Sequence, residues 1–181
     1  VHFSIGDYIE DLAHNALEAD SPITRIEVQE NGNSLEVCVE DTGKGMTPEQ
    51  LKSAQDPYGT DGIKHPGRKV GFGLPFLIQC VQAVQGDFHI QSKPGEGTRV
   101  WFRLPLDHVD TPPMGSLVET FRQILAYPGN HEIQIYRKRG KRSYSVFRSQ
   151  LLEALGELDS AGSQNLLKQY LESQEESLSL E

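Results

Sequence analysis

Asp41-Thr42-Gly43-Lys44-Gly45-Met46 stands directly behind a run that alternates in strand fashion, Leu35, Val37 and Val39. An acid at a strand end, followed by two spaced glycines, gives a backbone that passes close to a flat ligand, because glycine has no Cβ. A carboxylate there can accept a hydrogen bond from an exocyclic amine such as the one adenine carries. Taken alone, D-x-G-x-G is equally the pattern of a plain strand-to-helix turn. Thr47-Pro48-Glu49-Gln50 follows it as a helix start, with Thr47 as cap and Pro48 at the first helical position.

Working outward, Ile5, Ile9, Leu12, Ala13, Ala16 and Leu17 repeat at helical spacing, with Ser4 as N-cap and Ser21-Pro22 as the stop. Asp11 and Asn15 are four residues apart on this helix and share one face. Asn15 offers a neutral oxygen suited to Mg²⁺ that also holds phosphate oxygens, and Asp11 is placed to orient or deprotonate water. A solvated polar stripe would look the same. Strands at 23–30 and 34–40 are joined by the hairpin signal Asn31-Gly32-Asn33.

Beyond the helix start, residues 55–70 turn rich in glycine, proline and charge, which predicts a long, lid-like loop. Gly71-Phe72-Gly73-Leu74-Pro75 then opens an apolar helix at about 73–84. Free N–H groups and the partial positive charge of a helix N-terminus favour phosphate, although a glycine-rich helix entry with no ligand has the same sequence. No Gly-Lys-Ser/Thr follows, which excludes the P-loop pattern. Strands at about 86–92 and 98–104 flank Lys93-Pro94-Gly95-Glu96-Gly97.

The order and spacing of these three motifs resemble the GHKL superfamily of ATPases (the Bergerat fold), shared by histidine kinases, DNA gyrase, heat-shock chaperones and mismatch-repair ATPases. Asp11-x-x-x-Asn15 is similar to its N box, Asp41-x-Gly43-x-Gly45 to its first glycine box, and Gly71-x-Gly73-Leu74 to its second. Gln55-Asp56-Pro57-Tyr58-Gly59-Thr60 resembles the segment that opens the lid in histidine kinases. Lys93-Pro94-Gly95-Glu96-Gly97-Thr98 with Val100-Trp101-Phe102-Arg103-Leu104-Pro105 resembles the end of their catalytic domain. The resemblance implies a two-layer α/β sandwich, a mixed sheet covered by three helices, that binds ATP and Mg²⁺. It implies that Asp41 takes the adenine amine and that Asn15 coordinates Mg²⁺. Gly43, Gly45 and Thr98 would line the adenine pocket, Gly71 and Gly73 the phosphates, with Met46, Phe72 and Leu74 in the same binding set. Arg68 and Lys69 become candidate phosphate contacts, or solvated lid charges.

The pattern also departs from the sensor kinases. Glu18 stands where they carry a basic residue, and Asn15-Ala16-Leu17-Glu18-Ala19 looks more like the mismatch-repair, gyrase and chaperone members. Those members use a Glu at the position of Asp11, which is one methylene shorter as a candidate general base. The N box opens the chain with no phosphoacceptor hairpin ahead of it, and the first residue is Val1 rather than Met, as in a fragment. Slow or absent hydrolysis and no self-phosphorylation are expected. His14 reads as helix packing or an adenosine-side contact.

The net charge of −9 argues against a nucleic-acid binder, since gripping a phosphate backbone needs clustered Lys and Arg. Cys38 and Cys80 form no C-x-x-C pair and read as reduced core thiols, which fits a cytoplasmic setting. No stretch approaches the ~18 apolar residues of a membrane span. The expected division is an ATP-binding domain at 1–107, a linker at 108–115, a small C-terminal α/β module at 116–175 and a disordered tail at 176–181. In the module, helices are expected at 116–127, 149–158 and 162–173 around a hairpin at 131–147, and Arg137-Lys138-Arg139-Gly140-Lys141-Arg142 reads as a solvated hairpin tip. The function expected is a cytoplasmic, nucleotide-dependent regulatory protein that meets a protein partner through this module. The alternatives are the catalytic part of a protein kinase (a sensor histidine kinase, or a serine kinase similar to anti-sigma factors) and a slow ATPase of the mismatch-repair or chaperone type.

Overall fold

A computed structural model describes residues 3–57 and 73–179. The helix α1 (Ile5–Glu18) starts on a capping box: the Ser4 hydroxyl accepts from the Asp7 amide, and the Asp7 carboxylate accepts from the Ser4 amide. The hairpin β1 (Ile23–Asn31) and β2 (Ser34–Asp41) turns at Gly32, whose φ of 60° is left-handed. A second capping box, Thr47 with Gln50, starts α2 (Pro48–Gln55). Then come α3 (Gly73–Ala83), β3 (Asp87–Lys93) and β4 (Gly97–Pro105).

The chain beyond 108 forms α4 (Leu117–Leu125), β5 (Glu132–Arg139), β6 (Arg142–Phe147), α5 (Arg148–Leu155) and α6 (Ala161–Ser179). All strands join one mixed sheet in the order β3-β4-β2-β1-β5-β6. The pairing of β5 with β1 is parallel and the others are antiparallel. Residues 132–147 thus continue the sheet of the first hundred residues instead of building a second one.

Strand alternation sends one row of side chains inward. Ile26 stands beside Val39 and Ile135, Val28 beside Val37, and Val37 beside Phe102. These six are buried in a core shared with Ile5, Ile9, Leu77, Phe121, Ile124, Leu167 and Leu171 from the helices. Along the helical layer α1 packs against both α3 and α4, and α4 against α6. The face holding Arg25, Glu27, Trp101 and Tyr136 remains partly open.

Two expectations change in the C-terminal part. The helix α6 continues to Ser179, through residues expected to form a disordered tail. Leu178 is buried, and Arg142 and Arg139 donate to the Ser177 carbonyl (3.0 Å) and the Ser179 hydroxyl (3.1 Å). Cations at a helix C-terminus meet its free carbonyls and dipole. Nor is the basic run simply a solvated tip. Arg137 continues the inward row of Ile133 and Ile135, is 4% exposed, and pairs with Glu30 at 2.6 Å and Glu175 at 3.3 Å.

Candidate functional site

The segment 41–46 is clamped from three sides. The Ser21 hydroxyl, itself buried, donates to the Ile23 carbonyl and accepts from the Thr42 amide at 3.0 Å. The Lys44 amide donates to the Ala19 carbonyl at the end of α1 (3.2 Å), and the Gly95 amide donates to the Lys44 carbonyl (2.7 Å). Ser92 closes the set. Its hydroxyl accepts from the Met46 amide at 2.8 Å, donates to the Gly97 carbonyl at 3.1 Å and lies 2.8 Å from the Thr98 hydroxyl.

Close backbone approach explains the glycines. A Cβ on Gly45, whose φ is 68°, would stand 1.9 Å from the Lys93 carbonyl oxygen. Any side chain there would push the β3–β4 turn off the loop.

Asp41 ends β2 and is only 9% exposed. One oxygen, Oδ1, accepts from the Gly43 amide at 2.8 Å. Burial pushes the carboxyl above its ordinary value, while the backbone amides of Gly43 and Thr98 pull it down. The sequence-identified residues Asp41, Gly43, Gly45, Met46 and Thr98 therefore form one bonded neighbourhood. Ser92 belongs to it and was missed. Its only sequence signal is a hydroxyl at the end of β3, beside the glycine-bearing turn.

The N box meets the second glycine box at Asp11. A Cβ on Gly73 would fall 1.5 Å from Asp11 Oδ2, so the carboxylate lies against the first residue of α3. That oxygen is buried and has no hydrogen-bond partner among the described residues. Burial raises the Asp11 carboxyl, Glu18 raises it further, and His14 lowers it. An unmade bond at a helix N-terminus, beside phosphate-type glycines, fits a site shaped for another group. Asn15 is exposed one helical turn further on. Leu74 is buried in the core. Arg68, Lys69, Gly71, Phe72 and most of the lid expected at 55–70 lie outside the described residues. Among the described residues no group of three or more His, Cys, Asp or Glu could hold a metal ion. Mg²⁺ shared between one Asn and phosphate oxygens needs no such cluster.

A carboxyl raised by burial makes a stability prediction. Ionisation costs the folded state more than the unfolded one, so the penalty appears as pH rises past the unfolded value and is complete above the folded value. Asp11→Asn is therefore expected to unfold at a higher temperature than the parent at pH 7. The gain should fade below about pH 4, where both carboxyls are protonated. Differential scanning calorimetry at both pH values checks it, and a lower melting temperature at pH 7 would overturn it.

Comparison with known proteins follows the same motifs. Residues 4–108 match the family described as histidine kinase-, DNA gyrase B-, and HSP90-like ATPase. Sensor histidine kinase RcsC of Escherichia coli (strain K12) is 29% identical over 102 residues, 54% of this chain and 11% of that protein. Histidine protein kinase DivJ of Caulobacter vibrioides is 35% identical over 98 residues, covering 52% of this chain and 16% of its own length. The peroxide stress-activated histidine kinase mak2 of Schizosaccharomyces pombe is 35% identical over 88 residues, 46% of this chain and 4% of its own. This chain thus spans a small part of each of these relatives. Among solved structures, the histidine kinase domain from the Erythrobacter litoralis EL346 blue-light activated histidine kinase is 19% identical with a TM-score of 0.34, covering 48% of this chain and 34% of that one. Because that family's model matches residues 4–108, more than half of the sequence, the chain belongs to the histidine kinase-, DNA gyrase B-, and HSP90-like ATPases.

Proposed function

We propose that this chain binds ATP together with Mg²⁺ and works in the cytoplasm as a nucleotide-dependent regulatory protein, reporting its state to a protein partner through residues 116–179. The observation that carries the nucleotide part is the Asp41 carboxylate, buried at a strand end and held by the Gly43 amide. Asn15 would supply the protein oxygen for Mg²⁺, with phosphates and water completing an octahedral shell. Mg²⁺ would neutralise the triphosphate charge beside Asp11. Phosphates would meet α3 at Gly73, where Asp11 Oδ2 lies without a hydrogen-bond partner among the described residues. No helix among the described residues is long and apolar enough to cross a membrane.

The metal role has a direct test. Asn15→Ala is expected to remove most of the enhancement that Mg²⁺ gives to ATP binding, while binding of adenosine alone stays unchanged. Titration calorimetry with and without Mg²⁺ reads both. Equal enhancement in the variant and the parent would remove Asn15 from the metal shell.

A second reading, the catalytic part of a protein kinase, is favoured by the three relatives above, all of them histidine kinases. Acid-labile phosphate on the chain or on an added acceptor after incubation with labelled ATP would select it. Against efficient hydrolysis stands Asp11, shorter than the Glu of hydrolytic members, since a base displaced from its water loses much of its effect.

A further inference from the structure

α1 carries both Asp11 and Asn15, so whatever fixes the rotation of α1 fixes two groups of the site. On the side away from α3 this work is done by residues beyond 108, outside the span that the family model matches. The Ile5 and Gly6 amides lie in the first turn, where a helix has no internal partners for its N–H groups. They donate to the carbonyls of Pro113 (2.8 Å) and Met114 (3.0 Å). A Cβ on Gly6 would come within 2.5 Å of the Thr120 hydroxyl oxygen, so α4 passes close along this end.

The other end is held by a ring contact. The Tyr127 ring, two residues past α4, lies 5.4 Å from the His14 imidazole, tilted by 42°. The His131 ring stands 6.0 Å from the Tyr127 ring, tilted by 54°. The turn that presents Tyr127 is itself pinned. Arg148, 7% exposed, donates from Nε to the Leu125 carbonyl (3.1 Å) and from Nη1 to the His131 carbonyl (3.0 Å). One buried guanidinium therefore caps α4 and ties down 126–131. His14 precedes Asn15 in the chain, lies 4.0 Å from Glu10, and acts electrostatically on Asp11.

We propose that Tyr127 is a positioning residue of the nucleotide site, acting through His14 to set the rotation of α1 and so the placement of Asp11 and Asn15. The C-terminal segment is then a working part of the site, acting on it through α1. By reciprocity, whatever displaces Tyr127 changes nucleotide affinity, and nucleotide changes the hold on Tyr127. This rests on the ATP-binding reading above.

The test uses the full chain carrying Tyr127→Ala, His14→Ala, both together, or Tyr127→Phe. Titration calorimetry measures binding of a non-hydrolysable ATP analogue with Mg²⁺, and separately of adenosine, which lacks the phosphates that Mg²⁺ and Asn15 would hold. Each alanine variant is expected to weaken the analogue by roughly fivefold, the low end of typical coupling between sites. The double variant should be no weaker than the weaker single one, because one contact is lost in all three. Tyr127→Phe keeps the ring and should bind as the parent does, and adenosine should bind the Tyr127 variants as it binds the parent. Losses that multiply in the double variant would overturn the proposal. So would an unchanged Tyr127→Ala, or an equal loss for adenosine, which signals general loosening. A parent that binds neither ligand would overturn the ATP-binding reading and this inference with it.

Discussion

Asp41→Asn is expected to weaken adenine-nucleotide binding by about 3 kcal/mol, roughly a hundredfold, with the fold intact. The Asp41 carboxylate already accepts the Gly43 amide through Oδ1. If that bond is kept, an Asn must present its oxygen to Gly43, which leaves its NH₂ facing the adenine amine. Two donors then oppose each other in a pocket where Asp41 is 9% exposed and water cannot repair the mismatch. On the same geometry GTP is expected to be a poor ligand of the parent, because guanine carries a carbonyl where adenine carries its amine. Stability should barely fall. Burial is the leading cause that raises the Asp41 carboxyl, so removing the charge relieves a cost while the Gly43 bond stays. Titration calorimetry with ATP and GTP, paired with thermal unfolding, separates these effects. Equal ATP affinity in variant and parent would remove Asp41 from the adenine site.

The part of this site legible in the sequence is the part made by neighbours in the chain. Asp41, Gly43 and Gly45 announce themselves because one short turn must end a strand, leave space and offer a carboxylate. Asp11 and Asn15 do so because helical spacing places them on one face. Ser92 was hidden, since its importance comes from a contact with Met46, 46 positions away in the chain, which only folding closes. Contact of Asp11 with Gly73 is likewise a product of α1 packing on α3. The elements beyond 108 were visible from their periodicity, but the parallel pairing of β5 with β1 was not. Nothing local to Glu132–Arg139 names its partner, and the long connection through α4 that a parallel neighbour needs is also compatible with a separate module. The length of α6 was underestimated because its last turns are polar in composition. They are held by Arg139 and Arg142 of a hairpin distant in sequence.

Arg137 is where these hidden contacts converge, and it yields the largest stability effect expected. Its guanidinium donates from Nη2 to Glu30 at the end of β1, from Nε to Glu175 of α6, and from Nη1 to the Lys138 carbonyl. Tyr144, opposite it on β6, is buried, and burial together with Glu175 holds its hydroxyl far above the usual phenol range. Removing the cation leaves Glu175, 20% exposed, without its ion pair and leaves Glu30, 14% exposed, with only the half-exposed Arg139 at 3.4 Å. Breaking a buried pair on one side costs about 3–5 kcal/mol, because the remaining charge keeps its desolvation penalty and loses its compensation. Arg137→Ala is therefore expected to lower stability by about 3 kcal/mol and to loosen α6 first. In the triple variant Arg137→Met, Glu30→Gln, Glu175→Gln the stranded charges are gone and much of the loss should return, since an apolar replacement for a buried ion cluster is often close to neutral. Urea unfolding gives the free energies, and hydrogen exchange on 161–179 shows whether α6 opens ahead of the sheet. A fall of less than about 1 kcal/mol in Arg137→Ala, the range of an exposed pair, would mean that the cluster is solvated and that apolar packing alone holds α6 to the sheet.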